Sequence, residues 1–232
     1  MVEIRRSQDR GHANHGWLDS RFSFSFAEYY DPAHMGFRSL RVINDARVAG
    51  GAGCGMHPHQ DMESITYMLD GAIAHKDSMG NGSIIRPGEV QRMTAGTGIR
   101  HSEFNPGVET AHLLQIWLMP REKGLAPSYD QKFFPGEVKS GKFALLASPD
   151  GRDGSLRIEQ DAKLYASWLT SDESVRHELA SGRHAWLQVA RGSVMLGDKL
   201  LNEGDGAAVS EESELVVHGA GEGGELLLFD LN

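Results

Sequence analysis

The sequence predicts an all-β protein made of two related barrels, and three observations lead to that class. First, 28 glycines are spread among many short apolar runs such as SLRVIND, SITYMLDG and HLLQIWLMP. Short strands at close spacing with turn signals between them are typical of a sandwich or a barrel. Second, helical periodicity is rare, and AAVSEESEL, at 207–215, is the one segment that predicts a helix. Third, the strand pattern occurs twice along the chain.

The repeated pattern consists of a strand, a glycine turn, a strand, a second glycine turn and a further strand. In the first half it reads YMLDGAIAHKD, RPGEVQRMTAG and GIRHSE, and in the second half QVARGSVMLGDK, NEGDGAAVSEE and LVVHG. Such a repeat indicates a duplicated small barrel. The pattern is interrupted at PREKGLAPSYDQKFFPGEVKSG, which is rich in Pro, Gly and charge. We therefore predict an N-terminal domain at 1–125 and a C-terminal domain at 126–232.

Composition restricts the partners of the chain. Its 232 residues include 32 acidic and 23 basic ones, a formal net charge of −9. There is no run of Lys or Arg, which argues against direct nucleic-acid binding because phosphate contacts need clustered cations. No apolar stretch approaches the roughly 20 residues of a membrane helix, and the N-terminus lacks the apolar core of a signal peptide. We expect a cytoplasmic monomer with no membrane partner.

Two pairs of polar residues carry the chemistry of the first half. His57 and His59, in HPHQD, are two positions apart, and on a strand such positions point to the same face. His101 and Glu103, in GIRHSE, repeat this spacing further along the chain. On neighbouring strands the two pairs would present three imidazoles and one carboxylate to one ion. That donor set suits Fe(II), Mn(II), Ni(II), Cu(II) or Zn(II).

The remaining candidate residues have structural interpretations beside the functional ones. The second half has no such pair, so metal is expected in the N-terminal half only, and packing or surface roles are assigned to His177, His184 and His218. Cys54, the single cysteine, excludes an intramolecular disulfide and is either a thiol beside the metal or a small packed residue.

The segment FSFSF could supply the walls of a binding pocket. Its rings, Phe22, Phe24 and Phe26, alternate with serines, and period-two alternation places all three on one face. That face is either part of the barrel core or the wall of a pocket for a flat ligand. Looser pocket candidates are Met35, Phe37 and Met93.

Longer motifs resemble a known family. The spacing Gly51-x5-His57-x-His59-x3-Glu63 resembles the first cupin motif, and Gly98-x2-His101-x3-Asn105 resembles the second. The segments GHANHGWLDSRFSFSFAEYYDPAHMGFRSLRVINDA, HPHQDMESITYMLDG and MTAGTGIRHSEFNP closely resemble the pirin family, and the chain is most similar to its bacterial quercetin 2,3-dioxygenase-like members. His12 and His15 match the family pattern H-x-x-H-G-W, and we expect them to fix the N-terminal arm by hydrogen bonds.

The resemblance implies a bicupin, that is, two tandem cupin β-barrels of the jelly-roll type with metal only in the first. It implies that His57, His59, His101 and Glu103 bind one divalent transition metal. Fe(II) is the expected ion, with Zn, Cu, Ni, Mn and Co as alternatives. Glu63, a ligand in many cupins, is then displaced by Glu103 and is expected to lie behind the ligands as a hydrogen-bond partner.

The same resemblance implies an activity. It is that of an oxidoreductase, a dioxygenase that cleaves the heterocyclic ring of a flavonol such as quercetin, or a similar phenolic substrate, with O2 and releases carbon monoxide. Glu103 is then both a metal ligand and the catalytic base that accepts the proton of the flavonol hydroxyl. The alternative is a metal-binding regulatory or redox-sensor protein that acts through protein partners.

Overall fold

The computed structural model describes residues 1–232 and is almost entirely β-structure, which confirms the predicted class. One short helix, α1, spans Gly136–Lys139, and 3-10 turns span Ser7–Asp9 and Arg152–Gly154. No helix has the length and hydropathy needed to cross a membrane. The strands are β1 Val2–Arg5, β2 Gly11–Asn14, β3 Leu18–Phe22, β4 Leu40–Val48, β5 Gly53–His59, β6 Glu63–Asp70, β7 Ile73–Asp77, β8 Gly82–Ile85, β9 Glu89–Thr94, β10 Ile99–Phe104, β11 Ala111–Leu118, β12 Ser128–Phe133, β13 Ala144–Ser148, β14 Leu156–Arg157, β15 Ala162–Leu169, β16 Ser174–Glu178, β17 His184–Leu196, β18 Lys199–Asn202, β19 Gly206–Val209 and β20 Glu214–Leu231.

The strands form three sheets in two barrels. The first barrel pairs a seven-stranded sheet, in the order β12-β9-β6-β11-β4-β3-β2, with a four-stranded sheet, in the order β5-β10-β7-β8. The second barrel is one nine-stranded sheet, in the order β1-β19-β17-β20-β15-β13-β14, with β16 beside β20 and β18 beside β17. This arrangement of two jelly-roll barrels is that of a bicupin.

The seven-stranded sheet is buried on both faces. Along β11, Leu114 and Ile116 pack into a core shared with the second barrel, whereas Gln115 and Trp117 line a cavity inside the first. Because side chains alternate along a strand, neighbouring residues serve the two faces in turn. A strand covered on both faces reads as a nearly continuous apolar run, and this explains HLLQIWLMP.

Apolar packing differs sharply between the two barrels. The largest cluster, of 23 buried residues, lies between them, and its Phe24 and Trp186 rings meet with centroids 4.8 Å apart. A cluster of 15 buried residues fills the interior of the second barrel. The corresponding interior cluster of the first barrel has 7 buried residues. The first barrel therefore keeps open space that the second lacks.

One local prediction in the second half is wrong. The predicted helix at 207–215 is instead the strand β19, a short turn and the start of β20. Here Ala207 pairs with Ile4 on one side and Leu187 on the other, so sheet pairing overrides the local helical pattern. The glycine turn expected within QVARGSVMLGDK lies at Gly197, between β17 and β18, whereas β17 continues through Gly192. That residue has φ +67° at a register shift, which is a bulge and not a turn.

Strand exchange ties the two halves together. β1, from the N-terminus, pairs with β19 of the second barrel, and β12, which follows the predicted boundary at 125/126, pairs with β9 of the first. The boundary at 125/126 stays a prediction. Each of these two strands lies on one side of it and pairs with a strand from the other side.

Glu63 lies where the barrels meet and does not hydrogen-bond to the proposed metal ligands, so its expected position behind them is wrong. Its carboxylate is fully buried and accepts hydrogen bonds from Thr94 Oγ1 at 3.1 Å and from the backbone N–H of Glu159, in the second half, at 3.3 Å. Burial outweighs these hydrogen bonds and raises the pKa of Glu63 to about 7.

We expect Glu63 to make the folded protein less stable as pH rises. Its pKa is about 7 in the folded state against 4.5 unfolded, so the folded state binds more protons between these values and the free energy of unfolding falls across that window. Glu63→Gln removes this loss. The variant should therefore gain on wild type by up to about 3 kcal/mol between pH 4.5 and 7, with little difference below that window.

Urea unfolding of both proteins at a series of pH values measures this difference. The exposed Glu222, changed to Gln, serves as the matched control and should track wild type. If the free energy of unfolding of Glu63→Gln and of wild type changed in parallel at all pH values, the raised pKa of Glu63 would be contradicted.

Candidate metal centre

Strands β5 and β10 are antiparallel neighbours and bring His57 and His59 next to His101. His57 is the direct cross-strand partner of His101, and His59 that of Ile99. The ring centroids of the three histidines lie 4.5 to 4.8 Å apart, and Nε2 of His57 is 3.1 Å from Nε2 of His101. One ring nitrogen from each of the three lies within 4.8 Å of the others. These nitrogens form a single cluster that could hold an ion.

Glu103 lies at the edge of this cluster. Its ligand atom groups with those of His75 and His101 within 4.8 Å, and its cross-strand partner on β7 is His75. Gln115 Nε2 donates to Glu103 Oε2 at 3.1 Å, while Oε1 has no hydrogen-bond partner. One carboxylate oxygen is thus held by Gln115, and the other is buried without a hydrogen-bond partner.

Burial keeps the imidazoles in the form that binds metal. Burial first, and then the neighbouring histidines, lower the pKa of His101 to about 3. Burial, together with His57, lowers the pKa of His59 to about 4. Burial also raises the pKa of Glu103. At neutral pH His59 and His101 therefore present lone pairs without first having to release protons.

The donor set fits a divalent transition ion. His57 Nδ1 lies 2.8 Å from the carbonyl oxygen of Gly55, which can only accept, so the proton is on Nδ1 and Nε2 keeps its lone pair. A buried acceptor without a donor costs about 1–3 kcal/mol. A cation bound by this nitrogen and by the free Glu103 oxygen would satisfy both, and nitrogen with carboxylate donors suits the metals named above.

An apolar cavity of about 750 Å³ opens onto the histidine cluster. Its walls come from the N-terminal arm, β3, β4 and β11, and His57, His59 and Glu103 form part of its lining. Aromatic rings dominate one side. Phe26 meets Trp117 edge to face at 5.3 Å, and Trp117 meets His59 at 5.1 Å. The remaining lining residues include Trp17, Leu18, Phe22, Tyr29, Asn44, Ala46, Val48, Ile73 and Leu113.

The FSFSF rings do not share a face. Phe22 and Phe26 line the cavity, whereas Phe24 packs between the barrels. The reason is that β3 ends at Phe22, so the alternation stops there. The looser pocket candidates were wrong. Met35 is exposed, Phe37 packs against Trp186, and Met93 is buried with Ala95 and Ile99.

Other residues of the site differ from expectation or were missed. Cys54 is exposed and lines the cavity opposite Glu103, so the packed interpretation is wrong. His12 and His15 line the cavity as well, and His12 Nε2 lies 2.8 Å from Asp19. The sequence reasoning missed Gln115, Trp117 and His75.

The fold and the site together define a protein with two cupin domains, the first of which carries the histidine cluster. The family model described as Pirin matches residues 3–118, and the model described as the quercetinase C-terminal cupin domain matches residues 145–231. The chain belongs to the pirin family, as the motifs indicated.

Three similar proteins come from bacteria. A protein named quercetin 2,3-dioxygenase from Escherichia coli (strain K12) is 50% identical over 100% of this chain and 99% of its own length. A pirin-like protein from Caulobacter vibrioides is 42% identical over 99% of both. The crystal structure of the Escherichia coli bacterial pirin YhhW in complex with nickel(II) is 49% identical, with a TM-score of 0.94 over 100% of this chain and 99% of that one.

We expect one divalent ion per chain, bound at the histidine cluster. His57→Ala and His101→Ala should each lose Ni(II) affinity by more than the roughly 10- to 100-fold that a supporting residue costs, because each removes a ligand atom. His184, bonded to Ser210 in the second barrel, is the control, and His184→Ala should bind like wild type. Calorimetric titration, with circular dichroism to confirm folding, measures this. Two ions per chain, or full retention in His101→Ala, would refute the assignment.

Proposed function

We propose that the protein is a metal-dependent dioxygenase that cleaves the heterocyclic ring of flavonols such as quercetin with O2 and releases carbon monoxide. The observation that carries this proposal is an aromatic-walled cavity lined in part by two histidines of the cluster and by Glu103. Its volume of about 750 Å³ falls in the range of about 300–1,000 Å³ found for small-molecule sites. Relatives named quercetin 2,3-dioxygenase support the choice of substrate.

Buried, unpartnered polar atoms on two residues that line the cavity favour a flat substrate that also carries oxygens. Asn44 Oδ1 and Trp117 Nε1 both belong to residues lining the cavity, and neither has a hydrogen-bond partner. A purely apolar ligand would leave both unsatisfied, which is costly in a buried place. A flavonol offers hydroxyl donors to Asn44 and oxygen acceptors to Trp117, while its rings pack against Phe22 and Phe26.

His57, His59, His101 and Glu103 are the residues that would hold the metal, Fe(II) or another divalent ion. When bound, the metal would supply Lewis acidity that favours ionisation of the substrate hydroxyl. Glu103 accepts the hydroxyl proton on its carboxylate, which Gln115 orients by its hydrogen bond to Oε2. The apolar walls keep water away from the ionised substrate.

The direct test is aerobic incubation of the metal-loaded protein with quercetin. Loss of its near-visible absorbance together with release of carbon monoxide is expected, and His101→Ala treated with the same metal should show neither beyond the metal-only control. Absence of turnover with each of iron, copper, nickel and manganese would overturn the proposal and favour the regulatory alternative.

We expect Glu103→Gln to separate the two roles of this residue. The three imidazoles should still hold the metal, about 10- to 100-fold more weakly. The amide cannot accept the hydroxyl proton, so turnover at saturating metal should fall by roughly 10². This loss should shrink as pH rises, because substrate ionised in solution no longer needs the base.

Rates across pH, with metal content checked at each point, measure this effect. Glu222→Gln, at an exposed glutamate remote from the cavity lining, is the matched control. A Glu103→Gln protein that keeps its metal and turns over at the wild-type rate would show that Glu103 is a ligand only.

A further inference from the structure

A buried histidine and a buried aspartate on β7 stand behind His101. The cross-strand register pairs Asp77 with His101 and His75 with Glu103. His75 Nδ1 lies 3.5 Å from His101 Nδ1, at the long end of the hydrogen-bond range, and His75 Nε2 lies 3.2 Å from Asp77 Oδ2. The side chains of His75 and Asp77 are fully buried. The three groups form one chain that ends at the metal cluster.

Asp77 is a fixed acceptor. Its Oδ1 accepts the backbone N–H groups of Met79 and Asn81 at 2.9 and 3.0 Å, and its Oδ2 accepts from Asn81 Nδ2 at 2.9 Å. The carboxylate is therefore held by the turn that follows β7. The His75 ring is held as well, since it stacks on Tyr129 with centroids 4.8 Å apart and an interplanar angle of 27°.

The direction of each hydrogen bond follows from what each atom can do. An ionised carboxylate only accepts, so His75 carries its proton on Nε2 and presents a lone pair at Nδ1. That lone pair must be met by a proton on His101 Nδ1, which leaves His101 Nε2 as an acceptor. The same logic applies at the opposite end of the cluster, where the Gly55 carbonyl fixes the proton of His57 on Nδ1.

We propose that Asp77 and His75 are positioning residues that set the tautomer of His101 and so aim its Nε2 lone pair at the metal. The two Nε2 atoms of His57 and His101 then face each other at 3.1 Å with no proton of their own to share, and a cation is the group that satisfies both. The inference rests on the proposed metal centre and is independent of which reaction that centre performs.

Asp77→Asn should reverse the direction of the hydrogen bonds that run from residue 77 through His75 to His101. The amide oxygen can still accept the backbone N–H groups of the turn, while the amide nitrogen donates to His75 Nε2. His75 then carries its proton on Nδ1 and donates it to His101 Nδ1, which moves the His101 proton to Nε2, the metal-facing atom. Ring ¹⁵N NMR of the metal-free protein reports this directly, with the His101 signals assigned by their absence in His101→Ala.

We expect a proton on Nδ1 of His101 in wild type and on Nε2 in Asp77→Asn, together with a Ni(II) Kd about 10- to 100-fold higher by chelator competition. His75→Phe keeps the stack on Tyr129 without either nitrogen, and should leave His101 as a mixture of tautomers with a smaller loss of affinity. Asn81→Ala, which removes one contact with Asp77 but gives His75 no donor, should keep the wild-type tautomer.

Three results would overturn the proposal. They are a wild-type His101 tautomer in Asp77→Asn, wild-type nickel affinity in that variant despite a reversed tautomer, and an equal loss of affinity in Asn81→Ala, which would indicate only damage to the turn. The ring-nitrogen measurement needs neither turnover nor bound metal. A protein that fails to cleave quercetin therefore leaves this test intact.

Discussion

Burial of both faces of the seven-stranded sheet is the constraint on which the structure depends. One face contributes to the 23-residue core between the barrels, and the other bounds the cavity beside the histidines. Because alternation has a period of two, a slip of one residue in β11 would exchange Leu114 and Ile116 with Gln115 and Trp117. Such a slip would bury polar groups in the core and destroy the cavity wall, so packing between the barrels and the shape of the site fix the same register.

The two related barrels differ in the side chains that fill their interiors. The second barrel is packed with aliphatic side chains, whereas the first leaves space and keeps unpartnered polar atoms on Asn44, Glu103 and Trp117. Each such atom costs about 1–3 kcal/mol. The shared core and the filled second barrel offset this cost, so the fold can carry an open polar site.

Features that depend on local periodicity could be predicted from the sequence, and features that depend on distant contacts could not. The strand class and the facing pairs around His57 and His101 follow from a period of two, which is written in the chain. By contrast, the packing of Phe24 between the barrels depends on Trp186 in the second barrel. The position of Glu63 depends on a hydrogen bond from the backbone N–H of Glu159. His75 and Asp77 show the same two-residue spacing in the sequence, but only the register of β7 against β10 places them behind His101.

Groups outside the histidine cluster determine which of its ring nitrogens carry protons. A backbone carbonyl at Gly55 and a carboxylate at Asp77 can only accept, so both draw ring protons outward and leave lone pairs at the centre. The scaffold thus preorganises the site. The packing of the folded barrels offsets the repulsion between the opposing lone pairs. A bound metal would add stability by mass action without being required for folding, because the buried apolar clusters contain none of the proposed ligands.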